Sequence, residues 1–384
     1  MARIAIVSSF VSPHVGGVES CVNWMVAALH DAGHEVRLIS CAAADADADL
    51  GLPTLYFGAS RYPLPYRGFA GFRRELRAAD LVIAHSHRHL LALLTPFLSR
   101  GRPLFFVHTA DAGTGGPFYR SLGVPLDFAA RQALRRTRLI VLSRASENWI
   151  RSRFSLPVSY FPYPIAPPVA PMPNVIADTA APTVVWVGRL SPEKDPLLAV
   201  SAIEALRSHG PPAQLDFYGD GPLRAPLAEL AATRPWLHLH GARPHAEVIE
   251  AQQRSTLCLA SSIADNVQVA ALEALAHGLP FVGTAVGELP SYFEGEIKRF
   301  CVPPNANELA EAMLALLARY EAMRALFRAN ASSLVREHDR GPERLLELVD
   351  RELEGTLDET IGSPLDAVDR KSNESTTKRK ASHK

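Results

Sequence analysis

Val184-Val185-Trp186-Val187-Gly188-Arg189-Leu190-Ser191-Pro192-Glu193-Lys194-Asp195-Pro196 is the stretch from which the rest of the chain can be read. Four β-branched or aromatic residues, too few for a helix and closed by Gly188, predict a buried strand at 184–187 followed by a loop. Ser191-Pro192-Glu193 carries a helix-start signal, with Ser as the cap and Pro at the first helical position. Arg189 and Lys194 then stand at the carboxyl end of the strand, where open α/β sheets bind ligands. A guanidinium that grips two oxygens and an ammonium acting as a point charge, set beside a helix start, suit a diphosphate. A surface loop with two solvated cations is the competing reading.

Outward from that stretch the alternation of strand and helix continues. Towards the C-terminus it runs through a helix at 197–207, a strand at 215–218, the turn Gly219-Asp220-Gly221-Pro222, a helix to 232, a strand at 237–240 closed by Gly241, a helix at 247–253 and a strand at 257–260. Asp265-Asn266 then precede a predicted helix at 267–276, stopped by Gly278 and Pro280. That helix is apolar on nearly every side except Gln268 and Glu273, which reads as a buried helix. A lone carboxylate on it is costly unless paired, so Glu273 faces a polar ligand or takes part in a structural salt bridge. Continuous helix would set Asp265 and Glu273 about 12 Å apart along the axis, a span that fits the two ends of a sugar nucleotide.

Towards the N-terminus the same pattern appears. A strand at 4–7, a loop ending in Gly16-Gly17, a helix at 18–30 stopped at Gly33 and a strand at 35–40 predict a doubly wound sheet. The two glycines would expose backbone N–H groups to an anion, or simply make a tight turn. An Ala/Asp-rich loop covers 42–50, and further strands are predicted at 81–84, 104–107 and 139–142. His85, His87 and His89 alternate, but no carboxylate or Cys sits at matching spacing, which argues against a metal. His108-Thr109 follows the strand at 104–107, with Asp111, Gly113, Gly115 and Gly116 behind it. There His108 would reach a phosphate or sugar hydroxyl, a core His bonded to backbone being the alternative. The Pro-rich stretch 157–182 cannot hold a helix or a central strand and marks a linker. The expected organisation is a first domain at 1–165, a linker at 166–182, a second domain at 183–355 whose last helix can pack back on the first, and a polar tail at 356–384 without fixed structure.

Composition bounds the function. With 384 residues, 47% of them apolar, and a formal charge of zero, neither disorder nor bulk nucleic-acid binding is indicated. Before residue 180 there is no Lys, but the Arg residues, among them Arg61, Arg67, Arg73, Arg74, Arg77, Arg131, Arg135, Arg136 and Arg138, together outnumber the acids, so the first half is basic and the second acidic. A basic first half suits an anionic acceptor or a membrane surface, and ordinary solvated helices would explain it as well. Cys21, Cys41, Cys258 and Cys301 show no metal or redox spacing and read as reduced thiols of a cytoplasmic protein. No apolar run approaches the roughly 20 residues that span a bilayer, so membrane contact would be peripheral.

Together these residues resemble the retaining GT-B glycosyltransferases of family 4, over nearly the whole chain from Arg3 to about Leu353. The specific motifs are 187–194 and 272–280; Gly16-Gly17, Gly219-Asp220-Gly221-Pro222 and His108-Thr109 are weaker matches. The resemblance implies an α/β fold of two Rossmann-like doubly wound domains facing each other across a cleft, closing through the linker. It implies that Arg189 and Lys194, beside Gly188, bind the donor diphosphate and stabilise the leaving charge, and that Glu273 takes the ribose hydroxyls. Gly16, Gly17 and the stretch Asn266-Val267-Gln268 would hold phosphate and sugar, Gly219 and Asp220 would line the donor site, and Ala242 and Arg243 would lie near the base. His108 would touch the donor sugar or phosphate beside the acceptor. One departure is Asp265 where the family carries Glu on the hexose, one methylene longer; the other is Pro162-Tyr163-Pro164 in place of an Asn-Gly turn.

The implied reaction is transfer of a hexose from GDP-mannose or a UDP-sugar to a glycan, lipid-linked or small-molecule acceptor, in cell-envelope or polysaccharide biosynthesis. It would be retaining and metal-free, with no cofactor and no nucleic-acid partner, the leaving phosphate itself taking the acceptor proton. The stretch 61–77, with Tyr62, Tyr66, Phe69 and Phe72 among its Arg residues, could seat such an acceptor at the inner face of a membrane or be a surface helix. A non-catalytic sugar-nucleotide-binding protein, a nucleotide-sugar epimerase and a glycosyltransferase of secondary metabolism are the alternatives.

Overall fold

The computed structural model describes residues 1–8, 17–40, 54–56, 69–85, 90–107, 130–165, 180–338 and 340–355. The expectations on Gly16, His87, His89, His108, Asp111, the Ala/Asp-rich loop, Arg61, Arg67, linker residues 166–179 and the tail after 355 lie outside the described residues. The chain divides into two compact units: Met1–Tyr163 with the segment from Pro342 onward, and Pro164–Gly341.

The first unit is built on a parallel sheet in the order β3-β2-β1-β4-β5-β6-β7. Its strands are β1 (Arg3–Ser8), β2 (Glu35–Ser40), β3 (Thr54–Tyr56), β4 (Leu81–His85), β5 (Leu104–Val107), β6 (Arg138–Val141) and β7 (Ser159–Tyr160). The central strands β4 and β5 are buried at every residue, which is why they read in the sequence as continuous apolar runs without alternation. Helices α1 (Gly17–Asp31), α2 (Phe69–Ala78), α3 (Leu90–Leu98) and α4 (Arg144–Phe154) accompany the sheet. His85 ends β4 fully buried and stacked on the Phe106 ring at 5.2 Å, a place in the core.

One expectation needs correction here. The Pro-rich stretch does not begin as a linker at 157: Ser159 and Tyr160 pair in parallel with Ile140 and Val141, Phe161 N–H donates to Val141 O at 2.8 Å, and Phe161 and Tyr163 are buried. Pro157 and Pro162 flank this edge strand without interrupting its bonds, the placement that proline tolerates in a sheet.

The second unit holds a parallel sheet in the order β10-β9-β8-β11-β12-β13. These are β8 (Thr183–Val187), β9 (Gln214–Tyr218), β10 (Leu237–Gly241), β11 (Leu257–Ala260), β12 (Phe281–Thr284) and β13 (Cys301–Val302). The helices are α5 (Pro196–His209), α6 (Arg224–Ala231), α7 (His245–Arg254), α8 (Val269–Ala276), α9 (Ala306–Leu317) and α10 (Tyr320–His338). A last helix, α11 (Gly341–Leu353), runs on into the first unit, where Glu352 Oε2 accepts from Arg138 Nε of β6 at 2.7 Å. The order of each sheet reverses once, between β1 and β4 and between β8 and β11. In a doubly wound sheet that reversal opens a crevice at the carboxyl ends of the two strands, so the loops after β8 and β11 form the natural ligand site of the second unit.

Cys21 and Cys258 are buried free thiols, and burial pushes each up to about 12, so they stay protonated and inert. No described helix is long and apolar enough to cross a membrane.

Candidate functional site

The loop after β8 begins at Gly188 and carries Arg189 exposed and Leu190 buried. The expected helix start at Ser191-Pro192 is displaced: α5 begins at Pro196, capped by Asp195, whose Oδ1 accepts from Leu198 N–H at 3.1 Å. Two Ser/Asp-Pro signals compete within five residues, and Ser191 is otherwise engaged, its hydroxyl donating to Glu193 Oε1 at 2.6 Å. Residues 191–194 therefore form a turn, with Lys194 N–H on Ser191 O at 3.1 Å, and Lys194 projects from a loop rather than a helix.

The loop after β11 is bonded to that turn. Ser261 Oγ donates to the carbonyls of Lys194 and Asp195 at 3.0 and 2.7 Å, and accepts from Trp186 Nε1 at 3.0 Å. Ile263 and Ala264 N–H both donate to Glu193 O, at 2.9 and 3.2 Å. Across this seam Lys194 Nζ pairs with Asp265 Oδ2. Asp265 also accepts from Asn266 N–H at 2.9 Å and Ser262 Oγ at 3.3 Å. Its carboxylate is 13% exposed, so the pair is shielded well enough for the ammonium to be held in one place.

The loops after β9 and β10 extend the same surface. Gly188 N–H donates to Tyr218 O, Leu190 N–H to Asp220 O and Gly219 N–H to Gly241 O, at 3.0, 2.9 and 2.9 Å. Asp220 closes its own turn through Gly221 N–H at 2.8 Å, and Ala242 and Arg243 are exposed beyond Gly241. The structure thus gathers Gly188, Arg189, Lys194, Gly219, Asp220, Ala242, Arg243, Asp265 and Asn266 on connected loops at the carboxyl ends of β8 to β11.

The expected helix at 267–276 starts two residues later, at Val269, and ends as predicted at Ala276. Gly278, at φ +74, closes it, with Leu279 N–H on Ala274 O at 3.1 Å. Because 265–268 are not helical, the axial distance of about 12 Å estimated for Asp265 to Glu273 does not apply. Gln268 is 3% exposed and turns its amide to Val286 O at 3.4 Å, into the interior, while Val267 is half-buried. Gly17 is the first residue of α1 in the other unit.

Glu273 is half-buried on α8, and its Oε1 accepts from His245 Nε2 at 3.1 Å. Sequence reasoning missed His245, which lies 28 residues earlier at the start of α7. The bond to Glu273 holds the His245 ring above its ordinary value, against the opposing pull of partial burial. A raised histidine contributes stability fully below its ordinary value and loses it as pH rises through the raised one. An NMR titration of the ring should therefore show a midpoint above that of an exposed histidine, and Glu273→Gln should lower it; an unmoved midpoint would break the assignment.

Comparison with known proteins bears on what these loops do. The family described as Glycosyl transferases group 1 matches residues 181–319, and that described as Glycosyltransferase Family 4 matches residues 15–165. An Arabidopsis thaliana relative, named as one of the subunits of phosphatidylinositol N-acetylglucosaminyltransferase, is 25% identical over 331 residues, 81% of this chain and 73% of the relative. The phosphatidylinositol N-acetylglucosaminyltransferase gpi3 subunit of Schizosaccharomyces pombe is 24% identical over 349 residues, 82% and 73%. Among solved structures, sucrose-phosphate synthase from Thermosynechococcus elongatus superposes with a TM-score of 0.74 at 18% identity, covering 93% of this chain and 100% of that one. Anabaena Alr3699/HepE in complex with UDP gives a TM-score of 0.74 at 16% identity, covering 92% and 100%. These likenesses fix the fold.

Proposed function

This chain belongs to the GT-B glycosyltransferases of family 4, glycosyl transferases group 1, and we propose that it transfers a hexose or N-acetylhexosamine from a UDP-sugar to a lipid-linked acceptor with retention at the anomeric carbon. The observation that carries this reading is Lys194, held by Asp265 beside exposed Arg189 at the switch point of the second sheet. Departure of the diphosphate as positive charge builds on the sugar is the costly event, and cations fixed beforehand on the leaving group lower that barrier. Arg189 would grip the phosphates bidentately and Lys194 would supply a point charge, a division of labour that needs no metal.

Uridine is favoured over guanosine because Anabaena Alr3699/HepE is solved with UDP and with UDP-glucose, and the curated relatives are named N-acetylglucosaminyltransferases. A lipid-linked acceptor is supported from two sides. Those relatives are named for phosphatidylinositol, and α2 is an amphipathic helix with Arg73, Arg74 and Arg77 around a 43% exposed Phe69, above buried Phe72 and Leu76. Such a helix suits the inner face of a membrane. The relatives are also named as subunits, so a partner protein belongs to the proposal.

UDP and its sugars should raise the melting temperature of the protein more than GDP and its sugars do, with a stabilisation of about 2.7 kcal/mol at a hundredfold excess over Kd. Because Arg189 is exposed, Arg189→Ala should leave the melting temperature of the free protein in place and lower kcat by about 10²-fold. Turnover equal to wild type in that variant would remove the assigned role.

A further inference from the structure

The resemblance implies that Glu273 takes the ribose hydroxyls of the donor, and its carboxylate is held from one side only. Among the described residues Oε1 accepts from His245 and Oε2 has no partner, while the side chain is 24% exposed on a helix whose Ala271, Leu272, Ala274, Leu275 and Ala276 are buried. The terminal torsion of a glutamate is broad, so a carboxylate without an anchor samples many orientations. One bond to one oxygen removes that freedom and leaves the other oxygen open.

His245 is itself well placed to act as the anchor. It is the first residue of α7, after Pro244 at φ −53, and Val248 N–H closes the first turn onto Pro244 O at 3.2 Å. Buried Val248 and Ala251 hold that helix down. The imidazole, by contrast, is 66% exposed and fills no core space. An exposed pair of this kind contributes little to folding stability, so the arrangement is poorly explained as a structural support.

We propose that His245 is a positioning residue for donor binding, anchoring Oε1 of Glu273 so that Oε2 is presented to a ribose hydroxyl of the nucleoside diphosphate sugar. The inference rests on the reading of Glu273 as a donor contact. Without the anchor the ligand must order the carboxylate itself, which weakens binding by up to about tenfold. Chemistry at the anomeric carbon is a separate event, so KM should rise more than kcat falls.

The test uses the full chain, with UDP-glucose and UDP-N-acetylglucosamine as probes. Kd, KM and kcat are measured for wild type, His245→Ala, His245→Gln and Glu273→Ala, together with the melting temperature of each free protein. His245→Ala should raise Kd about tenfold with little change in melting temperature. His245→Gln, whose amide can donate from nearly the position of Nε2, should recover most of the loss. Binding by His245→Ala equal to wild type, while Glu273→Ala binds poorly, would overturn the positioning role and leave the donor reading standing. So would a Gln variant as poor as the Ala variant. Wild-type binding that survives in Glu273→Ala would remove the donor contact and the inference with it.

Discussion

Lys194→Ala should lower kcat by about 10³-fold, the upper range for removal of one preorganised group at a developing anion. The magnitude follows from how the ammonium is held. Lys194 leaves a turn fixed by its own N–H on Ser191 O and by Ser261 Oγ on its carbonyl, and its Nζ is paired with Asp265. Little reorganisation is needed when a diphosphate arrives. Composition adds a second argument: before residue 371 the sequence has Lys only at 194 and 298 and uses Arg wherever else a cation of this length is needed. Retention of Lys here suits a compact charge with rotatable donors, so Lys194→Arg should fail to restore the rate. The variant also carries a stability signature. Asp265, 13% exposed, loses its counter-ion while keeping Asn266 N–H and Ser262 Oγ, at a cost of about 1–3 kcal/mol. Lys194→Ala with Asp265→Asn should recover part of that stability and none of the activity. Steady-state kinetics beside denaturant unfolding would read both, and a Lys194→Ala enzyme at wild-type kcat would end the electrostatic account.

The parts of this chain that could be read in advance are those whose signal is local. Strands at 104–107 and 257–260 fall where continuous apolar runs place them, because a parallel strand covered on both faces has no alternation to obscure it. Strands β3, β7 and β13 were not legible: with two or three residues each, they exist through a neighbour's bonds rather than their own pattern. The start of α5 was ambiguous because Ser191-Pro192 and Asp195-Pro196 carry the same signal. The choice is made by Ser261, Ile263 and Ala264, about 70 residues away in sequence. The site divides the same way. Arg189 and Lys194 are legible by their place after the carboxyl end of a strand and Glu273 as a charge on an otherwise apolar helix, whereas Asp265 as the partner of Lys194 and His245 as the partner of Glu273 depend on the reversal of strand order and on the packing of α7 beside α8.

Gly219→Ala should destabilise the second unit by about 3 kcal/mol or more and abolish donor binding even in the fraction that stays folded. Gly219 sits at φ +145, and a Cβ built there would lie 1.8 Å from Gly188 O and 2.9 Å from Gly188 C. No rotamer relieves a contact between a Cβ and a backbone carbonyl. The loops after β8 and β9 would have to separate, and they are joined by Gly188 N–H on Tyr218 O, Leu190 N–H on Asp220 O and Leu223 N–H on Leu190 O. Arg189 lies between the first two of these bonds, so any separation moves the guanidinium away from the position proposed for gripping the diphosphate. Gly295→Ala supplies the control. Its φ is +56 and a Cβ there meets nothing within 4 Å, so only the left-handed backbone is strained, at about 1 kcal/mol. Unfolding in denaturant for the two variants, with UDP binding alongside, separates backbone strain from loop separation. Equal stability losses would mean that the loops after β8 and β9 can part without harm, and Arg189 would then owe its position to something other than the close approach of Gly188 and Gly219.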